Sequence, residues 1–435
     1  MLIPSRPLLA LLVLLVAGAV LASAWPPALP AWLALAGAMA AAAALDAWRA
    51  WRRPSPRVRR RVAHALSLGV EQGVALALES GARASARVRV FDHVPARFAF
   101  SGLPLALSLP AGATASVGYR IRPLARGDHA FGPVELRLAS PWRLWERRVA
   151  AGGPVEVKVY PNFAALTRYA LLAADHRLSQ IGLLRRRRRG LGLEFHQLRE
   201  YREGDTQRQI DWKATARIGR LVSREYQDER DQQIVLLLDC GRRMASRDGA
   251  LSHMDHALDA AMLLAYVGLR QGDAVGLATL GGPTRWLPPR KSMTALDALL
   301  ARTYDLEPTL SNPDFHGAAV ELMRRLGKRA WVVIVSNVRD EDEETLVPAI
   351  RLLRTRHRVV VASLRETILA QALARPVQGL DEALTHAATA EYLERRAQSF
   401  QRLAQREVPC LDVEPPALAM ALVNRYIALK RGGGL

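Results

Sequence analysis

The segment GLEFHQLREYREGDTQRQIDWKATAR, residues 192–217, is followed by the apolar run IVLLL, residues 234–238, which stops abruptly at Asp239. A short, wholly apolar run bounded by polar residues reads as a central strand of a parallel sheet, buried on both faces. An acid at the carboxyl end of such a strand is where open α/β sheets place their binding chemistry. Downstream, Met254, Leu258, Met262 and Val267 recur at helical spacing within residues 251–271. Strands are expected at 274–280, 286–288, 331–335, 358–364 and 410–413. Helices are expected at 294–304, 315–326, 345–354, 382–405 and 417–429. Helices alternating with apolar strands specify an α/β domain with a doubly wound parallel sheet over residues 229–435. No Gly-rich loop follows any of these strands, which argues against nucleotide binding.

Upstream, residues 58–161 carry short, partly alternating runs at 62–78, 86–91, 98–109, 115–121, 134–138 and 155–159, interrupted by Gly81, Pro95, Gly102, Gly112, Gly127 and Gly153. Short strands with turn residues between them suggest a small β-sandwich over residues 54–162. Residues 163–228 read as a connector ending in a half-polar extended stretch, 221–227. Its run Arg185 to Arg189 is a solvated loop by mutual repulsion, with contact to anionic lipid headgroups as the sharper alternative.

The N-terminus reads as a transmembrane hairpin, residues 1–53. Residues 7–25 and 28–45 are uncharged and apolar, and at about 1.5 Å per residue each is just long enough for a hydrocarbon core of roughly 30 Å. Trp25-Pro26-Pro27 supplies the turn. Arg6 precedes the first run and seven arginines between Arg49 and Arg61 follow the second. The positive-inside rule then gives a multi-pass protein of the cell membrane with its main body cytoplasmic. Ala22-Ser23-Ala24 resembles a signal-peptidase site, but a single n-region arginine and an immediate second apolar run weigh against cleavage.

The formal charge of +20 over 435 residues suits nucleic acid, anionic lipid or an acidic protein. No aromatic ladder interleaves with the basic residues, so specific nucleic-acid binding is not expected. Cys240 and Cys410 are too few for a disulfide framework, and no CxxC pair is present for zinc. Cys240 reads as a small residue closing a sheet edge rather than a nucleophile. His253 and His256 flank Asp255 on one helical face, which reads as solvated surface rather than a metal site.

The block at 192–217 gathers Glu194, Arg199, Tyr201, Gly204, Asp205, Arg208, Asp211, Trp212 and Arg217. Asp205 suits the cap of a helix beginning near Thr206, Arg208 and Asp211 stand at pairing distance on such a helix, and Trp212 offers a large apolar anchor. The expected role is a charge network joining the connector to the α/β domain, with partner recognition as the alternative. A hydrolase built on Glu194, Asp205 and Asp211 is the least favoured reading, because the intervening arginines look paired.

FHQLREYREGDTQRQIDWKATAR, then LVSREYQDERD, then an apolar strand ending in aspartate, resembles domain-of-unknown-function family fifty-eight. Arg126-Gly127, Phe131-Gly132-Pro133, Ser140-Pro141 and the hairpin match its layout. The resemblance implies a von Willebrand factor A-like domain and a MoxR-type AAA+ ATPase as protein partner. Such domains bind a divalent cation through an Asp-x-Ser-x-Ser loop, a middle loop and a later aspartate. Here the first loop reads Asp239-Cys240-Gly241-Arg242-Arg243, Thr309, Ser311 and Asp314 are the middle-loop candidates, and Asn337 stands where the later acid is expected. With both serines lost, Asp239 is the remaining first-loop ligand, and Arg243 is positioned to pair with it in place of the cation. The expectation is therefore a non-enzymatic adaptor with no cofactor, binding membrane lipid and protein. A magnesium-dependent ligand-binding module is the alternative.

Overall fold

The computed structural model describes residues 1–82, 84–162, 194–202, 207, 210–227 and 232–431. It divides into two compact units, Met1–Tyr160 and Pro161–Leu435.

The first unit opens with β1 (Leu2–Pro4), then the apolar helices α1 (Arg6–Ala24) and α2 (Leu29–Arg52). Both are long and apolar enough, by length and composition, to cross a membrane. Trp32 Nε1 donates to Leu15 O at 3.2 Å. A Cβ on Gly18 would stand 3.1 Å from that nitrogen, so the glycine permits the close approach.

The rest of this unit is β-rich: β2 (Arg57–Arg61), β3 (Ala65–Ser67), β4 (Gln72–Glu79), β5 (Ala86–Asp92), β6 (Phe98–Ser101), β7 (Leu105–Leu109), β8 (Thr114–Pro123), β9 (Gly127–Phe131), β10 (Val134–Ala139), β11 (Trp145–Ala151) and β12 (Val155–Tyr160). They form sheets of order β1-β11-β10-β5-β7, β2-β4-β8-β6 and β3-β12-β9. Alternation sends Val74, Leu76 and Leu78 of β4 and Val88 and Val90 of β5 inward. Asp92 on β5 accepts from Tyr119 Oη of β8 at 2.6 Å and from Arg60 Nε of β2 at 2.9 Å, which ties the two larger sheets together. The run expected at 98–109 is divided between two sheets, and β9 and β11 were not foreseen.

The loop from Ser140 to Trp145 holds both apolar helices. Asp46 of α2, wholly buried, accepts from Ser140 Oγ, from Trp142 N at 3.0 Å and from Leu144 N at 3.2 Å. Trp145 Nε1 donates to Ala43 O at 2.9 Å. Ser5, which caps α1, donates its N–H to Leu144 O at 3.0 Å and its hydroxyl to Arg143 O. Hairpin and β-rich region therefore fall within one compact unit.

In the second unit, β13 (Glu194–Glu200) pairs antiparallel with β14 (Val222–Gln227), and the short helix α3 (Trp212–Ile218) lies between them. Then come β15 (Gln233–Asp239), the small hairpin β16 (Arg247–Asp248) and β17 (Leu251–Ser252), α4 (His253–Arg270), β18 (Ala274–Leu280), β19 (Trp286–Arg290), α5 (Thr294–Thr303), α6 (Phe315–Arg325), β20 (Ala330–Ser336), α7 (Glu343–Arg354), β21 (Arg358–Leu364), α8 (Thr367–Ala374), α9 (Leu380–Gln405), β22 (Cys410–Val413) and α10 (Leu418–Arg431).

The main sheet has the order β19-β18-β15-β20-β21-β22, all parallel except β19. Ile234, Leu236 and Leu238 of β15 face a core closed by α4, α5 and α10. Val235 and Leu237 face the opposite core, closed by α6, α7 and α9. Each such fully buried side chain contributes about 1.5–3 kcal/mol. A Cβ on Gly268 of α4 would come within 2.8 Å of Ile234 Cδ1, so glycine there sets how near the helix packs. The helices and strands expected over residues 251–429 are present within a few residues. Helix α8 was not foreseen.

Arg396 of α9 is 2% exposed. It donates to Asp412 at 2.7 Å, Ser363 Oγ at 2.7 Å, Val338 O at 2.6 Å, Leu364 O at 3.0 Å and Asn337 Oδ1 at 3.2 Å. It thus joins α9 to the carboxyl ends of β20, β21 and β22. Arg396→Met leaves Asp412 and two carbonyls without their donor, and lowers stability by roughly 3–5 kcal/mol. Arg402→Met, on the solvated Arg402–Glu343 pair of the same helix, costs about 0.2–1 kcal/mol. Thermal unfolding of the detergent-solubilised chain compares the two.

Candidate functional site

The chain runs from β15 outward to β18 and β19, then returns to β20 on the other side of β15 and continues to β22. The strand order therefore reverses between β15 and β20, and the crevice outside their carboxyl ends is the expected binding position. Asp239 and Ser336 end these two strands and are joined directly: Ser336 Oγ donates to Asp239 Oδ2 at 2.6 Å. Gly241 N donates to Asp239 Oδ1 at 2.7 Å. Asp239 is 1% exposed. Burial pushes its carboxyl above the ordinary value, outweighing those two hydrogen bonds.

The wall around this carboxylate is backbone. A Cβ on Gly241 would lie 2.9 Å from both Asp239 Oδ1 and Ser311 O, so the position tolerates no side chain. The middle loop closes over it, with Thr309 N donating to Cys240 O at 2.7 Å and Arg242 N to Ser311 O at 3.1 Å. Thr309 and Ser311 therefore meet the first loop. Asp314 does not join them, because it caps α6 by accepting from Gly317 N at 2.9 Å. Cys240 is wholly buried at the strand end.

Arg243 corrects one expectation. Its guanidinium donates to Asp342 and Glu341, on the loop after β20, and to Asn337 O at 3.3 Å, rather than to Asp239. The cause is local: Asp239 has both oxygens engaged, whereas Asp342 is a buried acid needing a counter-charge. Burial works against the charge on Arg243, but Asp342 and Glu341 outweigh it and hold the group above its ordinary value. Asn337, fully buried, donates to Glu366 Oε1 at 2.6 Å and accepts from Arg396. Burial opposes the charge on Glu366 too, yet the Asn337 bond and the nearby Arg396 and Arg339 hold its pKa below the ordinary value. Sequence reasoning reached Asp239, Gly241, Arg243, Ser311 and Asn337. It missed Ser336, Glu341, Asp342, Glu366, Arg396 and Asp412, although the acidic run from Asp340 to Glu344 was a visible signal.

The histidines also differ from expectation. His253 is fully buried, with Nε2 at 2.8 Å from Asp248 Oδ2. Asp248 accepts from Thr367 N at 3.1 Å as well, so this pair anchors the start of α8. Burial holds the His256 imidazole below its ordinary value.

In the family block, Gly204, Asp205 and Arg208 lie outside the described residues, as does the run Arg185 to Arg189. Glu194 opens β13 opposite Gln227. Arg199 pairs with Ser223 in the strand register, and Tyr201 N donates to Leu221 O at 2.9 Å. Asp211 is the cap of α3, accepting from Ala214 N at 3.0 Å, Lys213 N at 3.1 Å and Arg224 Nε at 2.8 Å. The Arg224 contact and the cap hold its pKa below the ordinary value. Trp212 is 67% exposed and is not buried against the described residues. It is the first residue of a seven-residue helix with no buried face. Arg217 occupies the last turn, where a cation complements the helix dipole.

Because the folded state holds the Asp239 proton more tightly than the unfolded chain does, the stability linked to this group falls as pH rises from the ordinary carboxylate range through the raised value. Asp239→Asn, which accepts from Gly241 N through its oxygen and donates its Nδ2 to Ser336 Oγ in a reversed bond, changes stability by about 1 kcal/mol or less at neutral pH, and flattens that dependence. Arg243→Met leaves Asp342 buried and unpaired and lowers stability by roughly 3–5 kcal/mol. Unfolding midpoints of both variants across pH check the contrast.

Among solved structures, an aerotolerance-related membrane protein from Bacteroides fragilis matches with 15% identity and a TM-score of 0.30, over 45% of this chain and 98% of that one. A PapD-like domain of human CEP192 matches with 16% identity and a TM-score of 0.18, over 25% and 88%. Salmonella alpha-2-macroglobulin matches with 12% identity and a TM-score of 0.19 over 24% of this chain, which spans 7% of that protein. No curated protein matches. The family model described as "Protein of unknown function DUF58" matches residues 197–400, from β13 through most of α9, and over that span the chain is similar to that family.

Proposed function

We propose that the chain is a membrane-anchored, non-enzymatic adaptor whose residues 229–435 form a von Willebrand factor A-like domain that binds protein at the carboxyl edge of the sheet. The observation that carries this reading is the buried Arg243, salt-bridged to Asp342 and Glu341 beside Asp239. On this reading the guanidinium supplies positive charge at that edge from the chain itself, and the domain works without a bound cation. Each Asp239 oxygen is already hydrogen-bonded, and the arrangement offers neither a free nucleophile nor a poised acid–base pair. Leu310, in the loop that closes over Gly241, is 94% exposed and presents an apolar contact on the rim. Exposed apolar residues beside a polar edge are what protein interfaces bury at their centre.

The hairpin is read as crossing the membrane twice with both ends and the main body in the cytoplasm, on the strength of Arg6 at the start of α1 and the arginines in the last turn of α2 and beyond it. The partner implied by family resemblance is a MoxR-type AAA+ ATPase. Crosslinking in intact membranes followed by affinity capture is expected to recover such an ATPase. Leu310→Asp reduces that recovery by tenfold or more, as loss of a buried interface anchor of about 2 kcal/mol does, with the unfolding midpoint unchanged. Calorimetric titration with magnesium or manganese is expected to show no binding. Micromolar affinity abolished by Asp239→Ala favours the cation-dependent module instead, and capture without any ATPase counts against the adaptor.

A further inference from the structure

The loop that holds α1 and α2 also builds a surface whose chemistry names a ligand. At the foot of α2, Trp48, Arg49, Trp51 and Arg52 are all exposed. The Arg49 guanidinium lies 5.1 Å from the centroid of the Trp142 ring, and that of Arg52 lies 4.6 Å from the centroid of Trp48. Trp142 is itself 46% exposed and belongs to the loop pinned by Asp46. Arg147 spends its guanidinium on the last carbonyls of α2, donating to Trp51 O at 3.1 Å and to Arg53 O. Arg49 and Arg52, by contrast, form no ion pair among the described residues. Arg143, at the tip of the loop, has a left-handed backbone (φ 62) and an exposed side chain. The result is a set of cations framed by indole rings, continuous with an apolar helix and fixed in place by a buried carboxylate.

Tryptophan rings settle at the headgroup level of a bilayer, where an apolar body and a polar tip are both satisfied. Guanidiniums at that depth match phosphate oxygens in planar, two-point fashion. We propose that Arg49 and Arg52, framed by Trp48 and Trp142, seat the phosphodiester of an anionic phospholipid, so that the Ser140–Trp145 loop lies within the headgroup layer. A lipid is the occupant rather than free phosphate because the cations are continuous with the apolar helix that would lie along its acyl chains. The inference rests on the reading that the hairpin spans the membrane.

The test uses the full chain. Alkaline carbonate washing of membranes comes first: a chain released into the wash removes the transmembrane reading and the lipid seat with it. For a chain that stays in the membrane, the delipidated protein in detergent is titrated with phosphatidylglycerol or with phosphatidylcholine of the same acyl length, and bound lipid is counted by native mass spectrometry. The wild type is expected to retain phosphatidylglycerol preferentially. R49Q/R52Q loses that preference by roughly fivefold per arginine removed, the weight of one basic residue at an anionic surface. W142A weakens it, and R120Q/R122Q, which removes two exposed arginines of β8, leaves it intact. Retention by R49Q/R52Q at the wild-type level, an equal loss in R120Q/R122Q, or displacement of the lipid by millimolar inorganic phosphate overturns the assignment while leaving the transmembrane reading in place.

Discussion

Two guanidiniums buried at one end of a parallel sheet constrain everything around them. A charge removed from water is strongly disfavoured unless its counter-charge and hydrogen-bond acceptors are held in place. Arg396 meets that demand with Asp412 and the strand ends of β20 and β21. Arg243 meets it with Asp342 and Glu341. Asn337 belongs to both networks, giving its carbonyl to Arg243 and its side-chain oxygen to Arg396. The loops after β15, β20 and β21 are consequently fixed to one another by charge, and helix α9 is fixed to all of them.

This constraint gives the carboxyl edge its character. Asp239 is a buried acid at a strand end, its two hydrogen bonds are internal and its wall is glycine backbone. A positive charge that is part of the chain neither dissociates nor depends on ion concentration. An edge built this way is ordered when the domain folds and carries its own counter-charge.

The sheet was legible in the sequence because its central strands are uninterrupted apolar runs, and the helices between them carry a clear four-residue repeat. The edge was legible only through positions adjacent to those strands. The partners of Arg396 lie 16 to 59 residues away along the chain, and nothing local in a long polar helix marks one arginine as buried. Helix α8 escaped notice because TILAQALA buries no residue and so carries no face. Strand β11 escaped because WERRVAA is half charged, its pairing set by β1 and β10 rather than by its own pattern. Trp212 misled for the opposite reason: its size argues for a core, but it opens a helix with no core beneath it.

The hold of the Ser140–Trp145 loop on Ser5 and Asp46 has a mechanical meaning. A flexible tether lets a soluble region swivel freely beneath the bilayer, and torque applied to that region is lost in the linker. Here the first helix begins and the second helix ends against the same loop, which is itself the turn between strands β10 and β11. A rotation of those strands is therefore a tilt of the helices, so the β-rich region is geared to the helical hairpin rather than leashed to it.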